Sequence, residues 1–290
     1  MYNKFLEYLL SNDPNEVISK AGIIFRKVLN PVFRRLIVLT CKAKLVKEGM
    51  PNLPKDRPII FAGTHGFRDD IAFSLNSIDR NAYVLYASIP DFFESIDGIG
   101  LWINGVVLLD RKKKDSRTAS KEKMVKAIEE GADLLVFPEG VWNKTPNLVV
   151  QKLFPGIHDV ASRTNAIIVP IATILEGDKG YSKIGEPFNI TQYDRKEGLL
   201  VLRDILATLK WDLMEKYSRA KREDFDGEYW TRFLEDLIAT ANGLYDEEIE
   251  NVAHYQDKNE ISAQEVFAPL DNVTITKENA YVLAKTLNRR

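Results

Sequence analysis

Short apolar segments rich in β-branched residues alternate with helical segments between residues 51 and 218, and this alternation is the feature that most constrains the fold. The apolar segments cover residues 58–62, 82–87, 106–109, 133–137 and 167–172. The helical segments between them cover residues 70–78, 116–130 and 156–163. Nearly continuous apolar strands separated by helices are typical of a parallel sheet with helices on both faces. The sequence therefore predicts an α/β fold with a mostly parallel central sheet flanked by helices.

The regions on either side of this domain are predicted to be helical. Residues 219–290 begin with a charged segment and continue as acidic, helical sequence, which predicts a helical C-terminal extension. In residues 1–50, Asn30-Pro31 has the pattern of a helix N-cap followed by proline at the first helical position. One helix should therefore end near Leu29, and another should begin at Pro31. The predicted organisation is N-terminal amphipathic helices in residues 1–50, a central domain in residues 51–218 and the extension in residues 219–290.

The N-terminal helices are amphipathic and basic. Apolar residues recur at helical spacing on one side and polar residues lie on the other. The apolar set is Ile24, Val28, Val32, Phe33, Leu36 and Leu39, and the polar set is Arg26, Lys27, Asn30 and Arg34. One interpretation is an anchor at a membrane surface, with the lysine and arginine side chains near the lipid headgroups. The other is a helix that packs on the protein's own core and leaves a solvated basic face.

Composition limits the partners and the location of the protein. The formal net charge of −2 gives no overall attraction to nucleic acid or to an anionic membrane. Cys41 is the only cysteine, which excludes an internal disulfide or a cysteine-rich metal site and fits a reducing compartment. The N-terminal residues lack a signal-peptide pattern, and no uncharged apolar run approaches the ~18 residues needed to cross a bilayer. We therefore expect a cytoplasmic protein, without a bound metal, that meets the inner face of the membrane peripherally.

A histidine stands where the first apolar segment ends. The sequence there reads FAGTHGFRDD, so His65 follows the strand and Asp70 comes five residues later. If His65 lies in the turn and Asp70 in the first turn of the next helix, the carboxylate can accept a hydrogen bond from the imidazole and orient it as a general base. Alternatively, Asp69 and Asp70 only complement the positive end of the helix, and His65 is a turn residue.

Three further segments follow in a fixed order. One strand ends in Asp110-Arg111, a second ends in Phe137-Pro138-Glu139-Gly140, and a third contains Val169-Pro170. Together with the histidine–aspartate segment, this order resembles the glycerolipid acyltransferase superfamily, typified by 1-acylglycerol-3-phosphate acyltransferases. Members of that family carry the same four motifs in the same order at similar spacings. The resemblance covers about residues 45–215.

The resemblance implies transfer of a fatty acyl group from a thioester to the hydroxyl of a lysophospholipid or related glycerolipid. The thioester would be on coenzyme A or acyl carrier protein, and no further cofactor is implied. His65 would act as general base, with Asp70 as its orienting partner. Arg111 would hold an anionic group of the acceptor, for which a guanidinium is suited. The acceptor site would be shaped by Phe137, Pro138, Glu139 and Gly140.

The chain departs from the family pattern directly after this motif. Many members continue with Thr-Arg-Ser, and that arginine is assigned to the acceptor phosphate. Here the positions are Val141, Trp142 and Asn143. Lys144 could supply the charge, although as a point charge on a flexible stem. Trp142 could pack against lipid or sugar, or lie in the core, whereas Arg111 at the end of its strand favours a phosphorylated lysolipid.

Two other functions use the same residues. A hydrolase would use the His65–Asp70 pair to activate water against a thioester, and a non-catalytic protein would only bind lipid or acyl carrier. The intact pair argues against the second alternative. A glycine-rich phosphate loop is absent from the sequence, which argues against a nucleotide-dependent kinase.

Overall fold

The computed structural model describes residues 8–39, 41–49, 51–87, 92, 96–143 and 149–218. The chain divides into two compact units: Met1–Trp142 with Leu153–Arg219, and Asn143–Lys152 with Ala220–Arg290. In the described part of the second unit, the Asn143 amide donates to the Val149 carbonyl and accepts from Gln151. The helical extension predicted for residues 219–290 lies outside the described residues.

The first unit contains a sheet of seven strands in the order β1-β7-β6-β2-β5-β3-β4. Neighbouring strands are parallel except β6 and β7, which are antiparallel. The strands are β1 (Lys44–Glu48), β2 (Ile59–Gly63), β3 (Ala82–Tyr86), β4 (Val106–Leu108), β5 (Asp133–Val136), β6 (Ile167–Glu176) and β7 (Lys179–Ile184). The predicted mostly parallel α/β fold is confirmed.

Helices accompany the strands in the described part of the chain. They are α1 (Pro14–Val17), α2 (Lys20–Leu39), α3 (Asp70–Ser77), α4 (Ile96–Asn104), α5 (Lys114–Glu129), α6 (Gly156–Thr164) and α7 (Arg195–Tyr217), with a 3-10 turn at Ile190–Gln192. The core is built from fully apolar central strands: every residue of β2 and β5 is buried. Burial of such strands supplies most of the driving force for folding, at roughly 25 cal/mol per Å² of apolar surface.

The helix break predicted at Asn30-Pro31 is wrong, because α2 continues through Pro31. Proline inside a helix removes one backbone hydrogen bond and usually costs about 3 kcal/mol. Here the inward face of the helix is packed on the domain, with Ile23 only 1% exposed and Asn30 only 4% exposed. Tertiary packing therefore overrides the local stop signal, and Asn30 is a buried helix residue and no N-cap.

The inward side of α2 carries polar as well as apolar residues. The guanidinium of Arg26 donates to the Trp102 carbonyl, the Lys27 ammonium donates to the Gly131 carbonyl, and Arg34 pairs with Asp79. Arg26 and Arg34 are partly buried by these contacts, whereas Lys27 remains exposed to solvent. The outward face is apolar, and its exposed residues are Ile24, Phe25, Val28, Val32, Leu36 and Leu39. The helix is amphipathic, as predicted, but presents its apolar side to the surroundings.

The strand order brings the sequence motifs to one edge of the sheet. Strand β2 lies between β6 and β5, and β4 is two places beyond β5. Because β2, β5 and β4 point the same way, their carboxyl ends meet at the same edge, where ligands bind in open parallel sheets. His65 follows the end of β2, Phe137 follows the end of β5, and Asp110 follows the end of β4.

Candidate active site

His65 and Asp70 are in direct contact. Their Nδ1 and Oδ2 atoms are 2.9 Å apart, with His65 in the turn after β2 and Asp70 at the first position of α3. The same oxygen of Asp70 accepts from the backbone N–H of Gly66 at 2.8 Å and of Phe67 at 3.2 Å. Asp70 is fully buried, whereas the His65 side chain keeps 17% exposure. The carboxylate therefore makes Nδ1 the donor and leaves Nε2 as the acceptor nitrogen.

The turn formed by Phe137, Pro138, Glu139 and Gly140 is tied to the histidine. Glu139 is 1% exposed, and its Oε1 accepts from the backbone N–H of His65 at 3.0 Å. Gly140 closes the turn by donating to the Phe137 carbonyl at 2.9 Å, and its φ of +74° suits glycine. Glu139 therefore fixes the backbone at His65, because a buried carboxylate forms a strong hydrogen bond with a backbone N–H.

Two aromatic rings border the imidazole of His65. The Phe137 ring lies 4.6 Å from it, tilted by 34°, and the Trp142 ring lies 6.1 Å from it, nearly edge-on at 78°. The close approach of Phe137 requires Gly63, because a Cβ there would lie 2.6 Å from the phenyl ring. The surface next to the imidazole is thus largely apolar, which limits the access of water to His65.

Arg111 contacts the same turn from the end of β4. Its Nη1 donates to the Gly140 carbonyl at 2.8 Å, and its own carbonyl accepts from Arg117 at 2.6 Å. Pro138 accepts from the Phe154 backbone N–H at 2.8 Å through its carbonyl. The structure therefore brings Arg111 and the whole Phe137–Gly140 turn together around His65. Lys144 lies outside the described residues.

Lys210 on α7 belongs to the electrostatic environment of this site, and sequence reasoning missed it. Burial lowers the pKa of Lys210, while the charges of Glu139 and Asp70 act in the opposite direction. A lysine in this position offsets part of the charge of the two buried carboxylates. The available sequence signal was a charged residue within the leucine stripe of α7, four residues after Leu206 and three before Leu213.

The described residues contain no group of three or more histidine, cysteine, aspartate or glutamate side chains that could hold a metal ion. In the same part of the chain, we find no helix with the length and apolar character needed to cross a membrane.

Comparison with known proteins gives the class. Residues 44–174 match the sequence model of a protein family described as Acyltransferase. The fold also matches a crystal structure of the 1-acyl-sn-glycerophosphate (LPA) acyltransferase PlsC from Thermotoga maritima, with a TM-score of 0.51 and 20% identity. That match covers 76% of this chain and 90% of PlsC. Residues 44–174 are thus similar to an acyltransferase domain, and the fold is similar to that of PlsC.

Curated relatives narrow the family. A 1-acyl-sn-glycerol-3-phosphate acyltransferase of Chlamydomonas reinhardtii is 26% identical over 131 residues, covering 45% of this chain and 38% of that protein. The one from Borreliella burgdorferi is 27% identical over 128 residues, covering 44% of this chain and 50% of that protein. The matched segment thus spans half or less of each curated relative. Over this segment the chain is similar to 1-acyl-sn-glycerol-3-phosphate acyltransferases.

Proposed function

We propose that the protein transfers a fatty acyl group from an acyl thioester to a hydroxyl of a lysophospholipid or related glycerolipid. The donor would be acyl-coenzyme A or acyl carrier protein. The observation that carries the proposal is the 2.9 Å contact between His65 Nδ1 and Asp70 Oδ2, beside the remaining ring nitrogen of a partly exposed histidine. The family names of the relatives support the same reaction class.

In the proposed reaction, Nε2 of His65 takes the proton of the acceptor hydroxyl as its oxygen attacks the thioester carbonyl. A carbon–oxygen bond forms, the carbon–sulfur bond breaks, and the imidazolium returns the proton to the departing thiolate. Asp70 stabilises the imidazolium while it exists. The transfer needs no enzyme nucleophile, so Cys41 has no part in it.

Replacement of His65 by alanine tests this mechanism. Loss of a general base typically lowers the rate by ~10²- to 10⁴-fold. His158→Ala is the matched control, because His158 bonds to the Tyr193 carbonyl and to Ser162, and to neither Asp70 nor Glu139. The products also separate the alternatives: acylated acceptor indicates transfer, and free fatty acid indicates hydrolysis. Full acyl transfer by His65→Ala would refute the role given to the histidine.

The acceptor site is proposed to lie between His65 and the turn from Phe137 to Gly140. Arg111 borders this site, and its contact with the Gly140 carbonyl holds the turn. We retain Arg111 as a candidate for an anionic group of the acceptor, together with Lys144. Arg111→Lys should raise the KM for an anionic acceptor and leave the donor KM nearly unchanged, because lysine loses the bidentate fork. Equal effects on both KM values would mean that Arg111 only stabilises the turn and does not bind the acceptor.

We also propose that the apolar face of α2 contacts the membrane, from the cytoplasmic side. Val28 and Leu39 are 72% and 81% exposed, and they share one face of α2 with four further large apolar side chains. An exposed apolar patch of this size is typical of an interaction site and unusual for ordinary protein surface. The neighbouring helix α4 also carries exposed apolar residues, Ile99, Trp102 and Ile103, and Arg26 joins the two helices through the Trp102 carbonyl.

The end of this apolar face lies close to the candidate site. The backbone N–H of Lys42, three residues after α2, donates to the Asp69 side chain at 3.3 Å. Asp69 directly precedes Asp70 at the start of α3. A lipid surface against α2 would therefore lie near the position where a lipid acceptor must enter.

Vesicle binding tests the membrane contact. We expect the double variant Val28→Glu, Val32→Glu to lose at least about tenfold in affinity for neutral phosphatidylcholine vesicles, because each buried valine contributes roughly 1.5 kcal/mol or more. Leu175→Glu is the control, as Leu175 is also an exposed large apolar residue (46%) but lies on β6. Added salt should have little effect, since Arg26, Lys27 and Arg34 are bonded to the domain. Unchanged binding by the double variant would contradict the contact.

A further inference from the structure

Two buried carboxylates act on His65 from different directions. Asp70 is fully buried and accepts from Nδ1, while Glu139 is 1% exposed and accepts from the backbone N–H. Both negative charges favour a positively charged imidazole, because opposite charges in a poorly solvated site interact strongly. An imidazolium cannot accept a further proton, so these two carboxylates by themselves oppose the action of His65 as a general base.

Two cations, Arg111 and Lys210, lie at the same site. Arg111 is half-buried and donates to the carbonyl of Gly140, the residue after Glu139. Burial lowers the pKa of Lys210, and the charges of Glu139 and Asp70 favour its charged form. With both cations charged, the two positive and two negative charges balance around a neutral imidazole. Loss of Lys210 would leave the balance negative.

The packing of α7 places Lys210 beside the carboxyl end of β2. The residue before Lys210 is Leu209. A Cβ added at Gly185 would lie 2.7 Å from the Leu209 side chain and 2.9 Å from that of Pro170, so α7 lies directly on β6 there. Pro170 is paired in the sheet with Ala62, which is next to the last residue of β2. The helix therefore crosses β6 at the level of the strand end that leads into the candidate site.

Several ionisable groups on α7, and on the elements packed against it, interact with one another instead. These elements are β6, β7, the 3-10 turn and α6. The interacting groups are Lys183 with Asp212, Arg203 with Asp204, Tyr181 with Tyr217, His158 with the Tyr193 carbonyl, and Asp159 with Lys121. Lys210 differs from them, because the charges that act on it are those of Glu139 and Asp70, the two carboxylates bonded to His65.

We propose that Lys210 sets the protonation state of His65: its positive charge offsets those of Asp70 and Glu139, so that the imidazole is neutral and able to accept a proton. The inference rests on the proposed acyl transfer for the use of that proton acceptance, and on the charge cluster for its physical basis. Lys210 acts through His65 and is a positioning residue, without a contact to the substrate.

An NMR titration tests the proposal without turnover. The chain has three histidines, so the ring resonances of His65 can be assigned by their absence from His65→Ala. Lys210→Met removes the charge and keeps an unbranched side chain. The midpoint of the His65 titration should move upward by about one pH unit, the effect of a unit charge roughly 10 Å away at an effective dielectric constant of about 20. Lys210→Gln should cause the same shift, and Lys210→Arg, which retains the charge, should not.

Two further variants separate charge from packing. Lys183→Met removes a lysine whose partner, Asp212, is also on α7, and it should leave the midpoint within about 0.3 unit because exposed charges are screened. Addition of Glu139→Gln to Lys210→Met removes one negative charge, while the amide oxygen can still accept from the His65 N–H. The double variant should therefore return toward the midpoint of wild type.

The pH dependence of acyl transfer gives the second readout. On acidification, Lys210→Met should lose activity at a pH about one unit higher than wild type, and above that range its rate should approach that of wild type. An unchanged NMR midpoint, with activity lowered by the same factor at every pH, would mean that Lys210 only packs and would overturn the inference. If wild type forms no acylated acceptor, the proposed function fails, and the NMR midpoint still decides the role of Lys210.

Discussion

Asp70→Asn separates the two tasks of the buried carboxylate, which are to orient His65 and to hold the turn between His65 and α3. The Oδ2 atom accepts three hydrogen bonds: from His65 Nδ1 at 2.9 Å, from Gly66 N at 2.8 Å and from Phe67 N at 3.2 Å. Asparagine has nearly the same shape and lacks the charge. The variant should therefore keep the fold while weakening all three contacts.

The expected loss of stability follows from these contacts. Replacing a charge-assisted acceptor by a neutral one loses about 1 kcal/mol for each of the two backbone donors. Loss of negative charge at the start of α3 removes about 0.3–1 kcal/mol more. The Oδ1 atom of Asp70 is buried and has no hydrogen-bond partner among the described residues, so an amide nitrogen placed there would be an unsatisfied donor and add about 1 kcal/mol. The sum is roughly 3–4 kcal/mol of unfolding free energy.

The expected loss of activity has a different origin. The asparagine oxygen can still accept from Nδ1, but the amide is neutral and stabilises the imidazolium formed during proton transfer much less than the carboxylate does. The rate should then fall by ~10²- to 10⁴-fold, with the donor KM little changed. Urea unfolding measures the first effect, and steady-state acyl transfer under conditions where the variant remains folded measures the second.

Asp69→Asn is the matched control. Asp69 lies one residue earlier at the same helix end, and its carboxylate accepts from Lys42 N at 3.3 Å. This variant makes the same change of charge without touching His65, so it should lose some stability and keep most of its activity. If Asp70→Asn and Asp69→Asn had activities within about threefold of each other, the orientation of His65 by Asp70 would not be what the reaction depends on.

Three further predictions concern packing and buried charge. Gly140→Ala should lower the unfolding free energy by about 1–3 kcal/mol, because the residue has positive φ and its Cβ would meet the Phe154 ring; an unchanged urea midpoint would contradict this. Gly63→Ala should displace Phe137, whose ring lies 2.6 Å from the added Cβ, and reduce both stability and acyl transfer; a fully active variant would show that the ring contact is dispensable. Lys123→Met should stabilise the protein by on the order of 1 kcal/mol near neutral pH, because burial lowers the pKa of Lys123. Between that lowered pKa and the ordinary value of 10.5, the folded state binds fewer protons than the unfolded state. The stability of wild type should therefore rise with pH in this range, relative to that of Lys123→Met. Urea midpoints of the two proteins that change in parallel across the range would refute the assignment.

The positions of five strands of the central sheet could be predicted from the local sequence. Each of the five predicted strands is present, from β2 to β6, because strands covered on both faces must be apolar along their whole length. The contact between His65 and Asp70 was also predictable, since both residues lie within one turn and the first helical position after it. Such features depend on interactions a few residues apart, which a single sequence displays directly.

The strands β1 and β7 were not predicted, because they lack a continuous apolar run. They read KLVKE and KGYSKI, in which polar residues interrupt any apolar run; β1 lies at the edge of the sheet and β7 lies next to it. Edge strands are commonly polar on one side, and without a continuous apolar run they resemble loops. Their identity as strands comes from pairing with each other and with β6.

The orientation of α2 and the surroundings of His65 depended on the arrangement of the whole chain. The periodicity of α2 defined two faces, and only the tertiary structure supplied partners for its cations, at the Trp102 carbonyl, the Gly131 carbonyl and Asp79. Glu139 reaches the His65 backbone across 74 positions of sequence because β2 and β5 are neighbours in the sheet. Strand order is set by the total free energy of packing all strands and helices together, and no local pattern encodes it. The pairing of His65 with Asp70 was therefore local information, whereas its enclosure by Glu139, Phe137 and Trp142 arises only when the sheet assembles.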